Sequence, residues 1–423
     1  MKLNYKRTFL ISLAFLSICA FWQLYDTIIP LILQNTFKLG ETLTGAVMAM
    51  DNVLAIFLLP AFGAYSDRVN TRIGKRTPFI LFGTIAAIIL MMILPIADLR
   101  ENMIVFVAVL LLLLIAMGSY RSPAVALMPD VTPKPLRSKA NAVINLMGAA
   151  GGVFSLIMIK VLIKQTDKPN YIWVFLSVAL LMLVSVTVLV STVRENEIGI
   201  KAEEEEKEEL NGESDGKDTG KMPREVQKSL AFILASIFLW FMAYNAVTTA
   251  FSRYAVKVWH LKGGSFANCL LIATIAAIFS YMPIGIISGK IGRKKTIIIG
   301  ILLLSASYFT GMLFREYSVM INVVFAVTGI GWAAINVNSY PMVVEMSKGS
   351  DVGKYTGLYY TFSMSAQIIT PILSGALLEH VSYYTLFPYA VVFSLLSLCT
   401  MLCVKHGDAR PEKKDSLLES FDS

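Results

Sequence analysis

Twelve apolar runs, one after another, limit what this chain can become. They fall at residues 8–34, 42–66, 78–97, 103–128, 138–163, 171–193, 229–256, 265–288, 295–314, 318–344, 354–378 and 383–404. Each is long enough to cross a bilayer core of roughly 30 Å as a helix. Such a chain is expected to be an all-α membrane protein with twelve transmembrane helices. The first run follows Lys2, Lys6 and Arg7, as a signal peptide would. It is too long for one and more spans follow it, so it is expected to stay as the first helix.

Composition agrees. Of the 423 residues, 56% are hydrophobic and 16% charged, against about a quarter charged in ordinary soluble domains. The net charge of +8 invites nucleic acid as a partner, but loop placement accounts for it better. Most lysines and arginines fall in the N-terminus, the even-numbered loops and the tail. By the bias of basic residues toward the cytoplasm, both termini are expected there, in a cell membrane. Residues 194–228 hold Glu203–Glu206 and almost no large apolar residue, and read as a disordered cytoplasmic linker. The expected organisation is a six-helix bundle at 1–193, this linker, a second bundle at 229–404 and a cytoplasmic tail at 405–423.

One stretch departs from the apolar pattern. It runs from Tyr120-Arg121 through Met128-Pro-Asp130 to Arg137 and Asn141. An arginine inside a span is tolerated where it faces a bundle interior or a watery cavity, so Arg121 marks an inside. Asp130 and Arg137 mark its cytoplasmic lip, and Pro341 to Glu345 with Lys354 forms a weaker copy. Both charge pairs are expected to act as gates, closing in one state and parting in the other.

A second repeat supports two related halves. Gly63-Ala-Tyr-Ser-Asp67-Arg68 leads to Gly74-Lys75-Arg76, and Gly285-Ile-Ile-Ser-Gly289-Lys290 leads to Gly292-Arg293-Lys294. Six spans, a linker and six spans with matching loops is a parallel-repeat transporter arrangement.

With these loops the chain resembles the major facilitator superfamily across all twelve spans. The likeness implies two pseudo-symmetric six-helix bundles, and places Asp67, Arg68, Arg76 and Arg293 in a cytoplasmic latch. Gly289 stands where an aspartate is common in the second copy. The chain is also similar to the sucrose-transporter and solute-carrier-45-like branch, neighbouring the glycoside–pentoside–hexuronide cation symporters. That likeness rests on Pro60 to Arg68, Gly74 to Phe79, Pro123, Ala126-Leu127, Asp130, Arg137 and Ala140-Asn141. The branch commonly carries an arginine where this chain has Val125. Arg121 lies four residues earlier, on the same helical face. Superfamily members are generally monomeric.

Candidate binding residues follow from polarity at depth. Trp22, Gln23, Tyr25 and Asp26 cluster in the first span. Aromatic faces and hydrogen-bonding groups suit sugars, and a desolvated carboxylate suits a proton carrier. Asp51 in the second span is a second proton or ion candidate, and Arg121 a substrate or coupling one. The alternatives are structural, with Asp26 as the fixed ion-pair partner of Arg121 or as a residue at the outer mouth. In the second half Trp240, Tyr244, Asn245, Thr248 and Thr249 lie on span seven, and Trp332, Asn336, Asn338 and Tyr340 on span ten. These line a cavity or bond helix to helix. Gly148-Ala-Ala-Gly151-Gly152 reads as close helix packing.

The expected function is secondary active transport of a small molecule, as a proton-coupled sugar or glycoside symporter with no cofactor. The sequence holds no nucleotide-binding loop, so ATP is not the expected energy source. Cys19, Cys269, Cys399 and Cys403 lie in apolar runs, and His260, His380 and His406 are scattered, a pattern unlike a metal site. A drug or metabolite exporter on the same fold, and a non-transporting sensor or scaffold, are the competing readings.

Overall fold

A computed structural model describes residues 4–132, 137–164, 169–196, 224–344, 346 and 352–407. Twelve helices long and apolar enough to cross a membrane are present, and no strand occurs among the described residues. The first six are α1 (Tyr5–Asn35), α2 (Glu41–Arg68), α3 (Thr77–Leu99), α4 (Met103–Asp130), α5 (Arg137–Leu162) and α6 (Ile172–Thr192). The second six are α7 (Arg224–Lys257), α8 (Ala267–Ile291), α9 (Arg293–Leu313), α10 (Ile321–Val344), α11 (Val352–His380) and α12 (Leu386–Leu402). Twelve crossings bring both chain ends to one face, called here the terminal face.

Local chemistry sets several boundaries. Asn4 caps α1 by accepting from the Arg7 amide, and Asn102 caps α4 by accepting from that of Val105, satisfying amides that have no partner within the helix. The two repeated glycines share a role. Gly74 and Gly292 have φ of 123° and 96°, a backbone region that L side chains rarely adopt, and each turns the chain between two spans at the terminal face. The repeated spacing therefore encodes a repeated turn.

Helix pairing repeats as well. α1 packs on α5 and α6, α3 on α4 and α6, and α2 on α4. α7 packs on α11 and α12, α9 on α10 and α12, and α8 on α10, so adding six to each label of the first set gives the second. The halves meet through α2–α11, α5–α8 and α1–α7.

Small residues let helices approach where apolar lipid provides no hydrophobic drive between them. A Cβ on Gly151 of α5 would collide with the Leu16 carbonyl of α1, and the Ser155 hydroxyl donates to the Ala20 carbonyl at 2.6 Å. The glycine run of span five is thus a packing surface.

The linker expected over 194–228 is shorter at both ends. Glu195 is buried and bonded into the first half, and α7 already begins at Arg224. A carboxylate meeting a row of free helix-start amides outweighs the local polarity that reads as disorder. Residues 197–223 lie outside the described residues, as do tail residues 408–423. The tail's start is tied back, with the Lys405 amide donating to the Ser229 hydroxyl at 3.1 Å.

Candidate functional site

A cavity of about 230 Å³ opens between the two halves, lined from α1, α2, α4, α7 and α11. On α1, Trp22 and Asp26 are four residues apart and share the face that reaches it. Tyr25 points elsewhere and is buried. Its ring meets that of Trp22 edge-on at 5.4 Å, and its hydroxyl reaches the Met48 carbonyl at 3.5 Å. Gln23 takes a third face, donating to the Thr27 hydroxyl at 3.0 Å, away from the lining.

From α2 come Met48, Asp51 and Asn52, and from α4 comes Arg121. The Asn52 amide donates to Asp51 at 2.8 Å. The Arg121 guanidinium carbon lies 5.4 Å from the Trp22 ring centroid, within cation–π range. Among the described residues, neither Asp26 nor Asp51 forms an ion pair with Arg121 within 4.0 Å. The fixed Asp26–Arg121 pair is therefore not the arrangement adopted here. Two carboxylates and one guanidinium face the same small space.

The second half supplies Asn245, Thr248 and Thr249 of α7 with Gln367 and Pro371 of α11. Every charged group in the lining comes from the first half, and the second half contributes neutral amides and hydroxyls. The Asn245 side-chain nitrogen and the Trp22 indole nitrogen are buried with no hydrogen-bond acceptor among the described residues. Leaving such donors unmet carries a free-energy cost.

The other second-half candidates lie outside the lining. Trp240 is fully buried in the core. Tyr244 stacks on Trp332 with centroids 3.7 Å apart and planes within 6°. The Asn338 amide donates to the Ala334 carbonyl at 2.8 Å, and Asn336 lies on the same helix, outside the lining. Sequence reasoning missed Met48, Asn52, Gln367 and Pro371. A glutamine four residues before a proline inside an apolar run was the available signal for the last two.

At the terminal face, Arg76 gathers the first half. Its Nε donates to Asp130 at 2.9 Å and one terminal nitrogen to the Gly63 carbonyl at 3.2 Å, and it pairs with Asp67 and Ser66. Lys75 lies 3.3 Å from Asp130. Glu195 accepts from the amides of Lys75, Arg76 and Thr77 at 3.0, 2.9 and 2.9 Å. Arg68 is exposed, and Arg293 begins α9 directly after Gly292. The side chains of Arg137, Glu345 and Lys354 lie outside the described residues, so their expected gate pairs do too.

Polar contacts between the halves, where both partners are described, all lie at the face opposite the termini. Arg253 donates to Glu41 at 2.8 Å, the Thr42 amide to Glu379 at 2.8 Å, and Lys160 to Asn268 at 3.0 Å. The two bundles are joined over the cavity at that face.

Comparison with known proteins agrees with this architecture. The sequence model of the Major Facilitator Superfamily matches residues 11–280 and 259–421. A chloramphenicol resistance protein, CraA of Acinetobacter baumannii, is 28% identical over 114 residues. That alignment covers 27% of each chain, so it spans about a quarter of the curated relative's length. Among solved structures, the inward-open xylose transporter XylE from E. coli superposes with a TM-score of 0.69 at 14% identity, covering 99% of both chains. A D-xylose–proton symporter gives 0.69 at 13%, covering 96% of this chain and 99% of that one. A POT family transporter in complex with 5-aminolevulinic acid gives 0.70 at 12%, covering 95% of both. At these identities the superpositions speak for the fold. With twelve membrane-length helices, a helix pairing that repeats by six and a family match along nearly its whole length, the chain belongs to the major facilitator superfamily and is a secondary transporter of that type.

Proposed function

We propose that this chain is a proton-coupled symporter that carries a sugar or glycoside across the cell membrane by alternating access. The observation that carries this reading is the division of the cavity wall. Asp26, Asp51 and Arg121 stand on one half, and Asn245, Thr248, Thr249 and Gln367 on the other. In this reading Asp26 takes the coupling proton, with Asp51 as a second acceptor. Arg121 responds to their charge: it turns toward a bare carboxylate and is released to the substrate when the carboxyl is protonated. Sugar hydroxyls bond the amides and threonine hydroxyls opposite, while the C–H face of the ring stacks on Trp22. The likeness to the sucrose-transporter branch supports a glycoside, and the xylose transporters of similar fold are consistent with it.

The terminal face is assigned to the cytoplasm, because its loops carry most of the basic residues. Asp67, Arg68, Arg76, Asp130 and Arg137, with Arg293, Glu345 and Lys354 in the second half, are assigned to the gate on that face. The protein is assigned as a monomer with no bound cofactor.

A second reading, proton-coupled export of a drug or metabolite, is favoured by the alignment with the chloramphenicol resistance protein. Purified protein in liposomes separates the two. Under an inward proton gradient, accumulation of one sugar from a panel, lost in Asp26→Asn, supports symport. Absence of sugar uptake, with proton movement on adding chloramphenicol or a hydrophobic cation, replaces symport by export.

A further inference from the structure

We infer that Glu41 and Arg253 form the lock that holds the two halves shut at the face opposite the termini, and that Arg253 ties this lock to the cavity wall. The inference rests on the alternating-access part of the proposed function and on neither its substrate nor its ion.

Glu41 is the first residue of α2, and Arg253 lies in the last two turns of α7, so the pair joins one half to the other. Their side chains are 3% and 2% exposed, an unusual depth for two charged groups. Glu41 has three partners from the second half. Arg253 donates through Nε at 2.8 Å, Lys257 lies 3.6 Å away, and the Tyr383 hydroxyl donates to the other carboxylate oxygen. One turn of the same junction is fastened separately, where Glu379 accepts from the Thr42 amide.

Arg253 has a second attachment. One terminal nitrogen donates to the Thr249 carbonyl at 2.7 Å, and Thr249 lines the cavity, its own hydroxyl donating to the Asn245 carbonyl at 2.6 Å. A single guanidinium therefore bonds both the carboxylate roof and the turn of α7 that carries two cavity residues. A shift of that turn when the cavity fills or empties changes the geometry at Glu41. The planar guanidinium holds its donors to the carboxylate and to the Thr249 carbonyl in one rigid geometry, which the rotatable donors of a lysine ammonium do not fix.

Buried ion pairs hold a state chiefly through the cost of stranding one partner. Opening this face exposes both groups to water and removes that cost. Neutralising either side therefore disfavours the closed state relative to the open one, by about a hundredfold in their ratio.

The test uses spin-label pairs on the full chain in liposomes. One pair sits at exposed Leu43 and Val381, on α2 and just beyond α11 at the locked face, and another at exposed Tyr65 and Tyr360, on the same two helices toward the terminal face. In Glu41→Gln, and independently in Arg253→Gln, the first distance is expected to lengthen while the second shortens. Lengthening or broadening of the first without shortening of the second makes the pair a local clamp and overturns the lock. So does a wild-type protein that shows both populations with both variants matching it. Failure to find a second population in any of the three proteins overturns alternating access itself along with the lock.

Discussion

Arg121 lies with its guanidinium carbon 5.4 Å from the centre of the Trp22 ring and pairs with neither of the carboxylates that share its cavity. A cation resting on an aromatic face keeps its hydrogen-bond donors available. Arg121→Gln is therefore expected to lower substrate uptake at least about tenfold while the protein still folds, and Arg121→Lys to recover only part of it. Liposome uptake beside a thermal melt checks both. Unchanged uptake in Arg121→Gln removes the residue from the mechanism.

Asp26 and Asp51 are separable by comparing net transport with exchange. Exchange of labelled for unlabelled substrate requires no net proton movement. Asp26→Asn is expected to abolish gradient-driven accumulation and spare exchange, whereas Asp51→Asn, beside Asn52, is expected to weaken accumulation less. Loss of exchange in Asp26→Asn would make that residue a substrate ligand instead of the proton carrier.

Glu195 is a buried acceptor for three consecutive amides at the entry to α3, with the Thr77 hydroxyl bonded as well. Glu195→Ala leaves those donors unmet and is expected to cost about 3 kcal/mol, read as a lowered Tm in detergent. A variant that melts with wild type would show that water replaces the carboxylate fully.

Gly151→Leu should separate α1 from α5, because the added side chain meets the Leu16 carbonyl. Overpacking of this kind costs about 1–3 kcal/mol. The expected result is a lower Tm and a smaller yield of folded protein, with Gly152→Ala, which meets only the end of Gln23, much closer to wild type.

Sidedness is checked by a reporter fused at Asp98, in the last turn of α3, where Thr36 donates to it at 2.6 Å. It is expected to read out as external. A cytoplasmic signal would reverse the assignment of the terminal face.

The twelve spans, the repeat and part of one wall of the cavity could be read from the order of residues alone. Span length follows from bilayer thickness, and the paired glycines of the two loops carry the repeated turn in their spacing. Trp22, Asp26, Asp51 and Arg121 were legible because a polar side chain inside a lipid-spanning run has few places to go except a cavity. Span seven shows where legibility stops. Trp240 and Asn245 are five residues apart on one helix, yet the first is core and the second cavity wall. Lipid and protein interior are both apolar, so a membrane helix carries little pattern to say which face turns inward. Gln367 and Pro371 enter the wall through the packing of α11 against α2 and α7, which no local pattern announces. The tertiary structure alone sets Arg253 against Glu41, 212 residues away in the chain. No local pattern links two such charges, because their meeting depends on how one bundle of helices packs against the other.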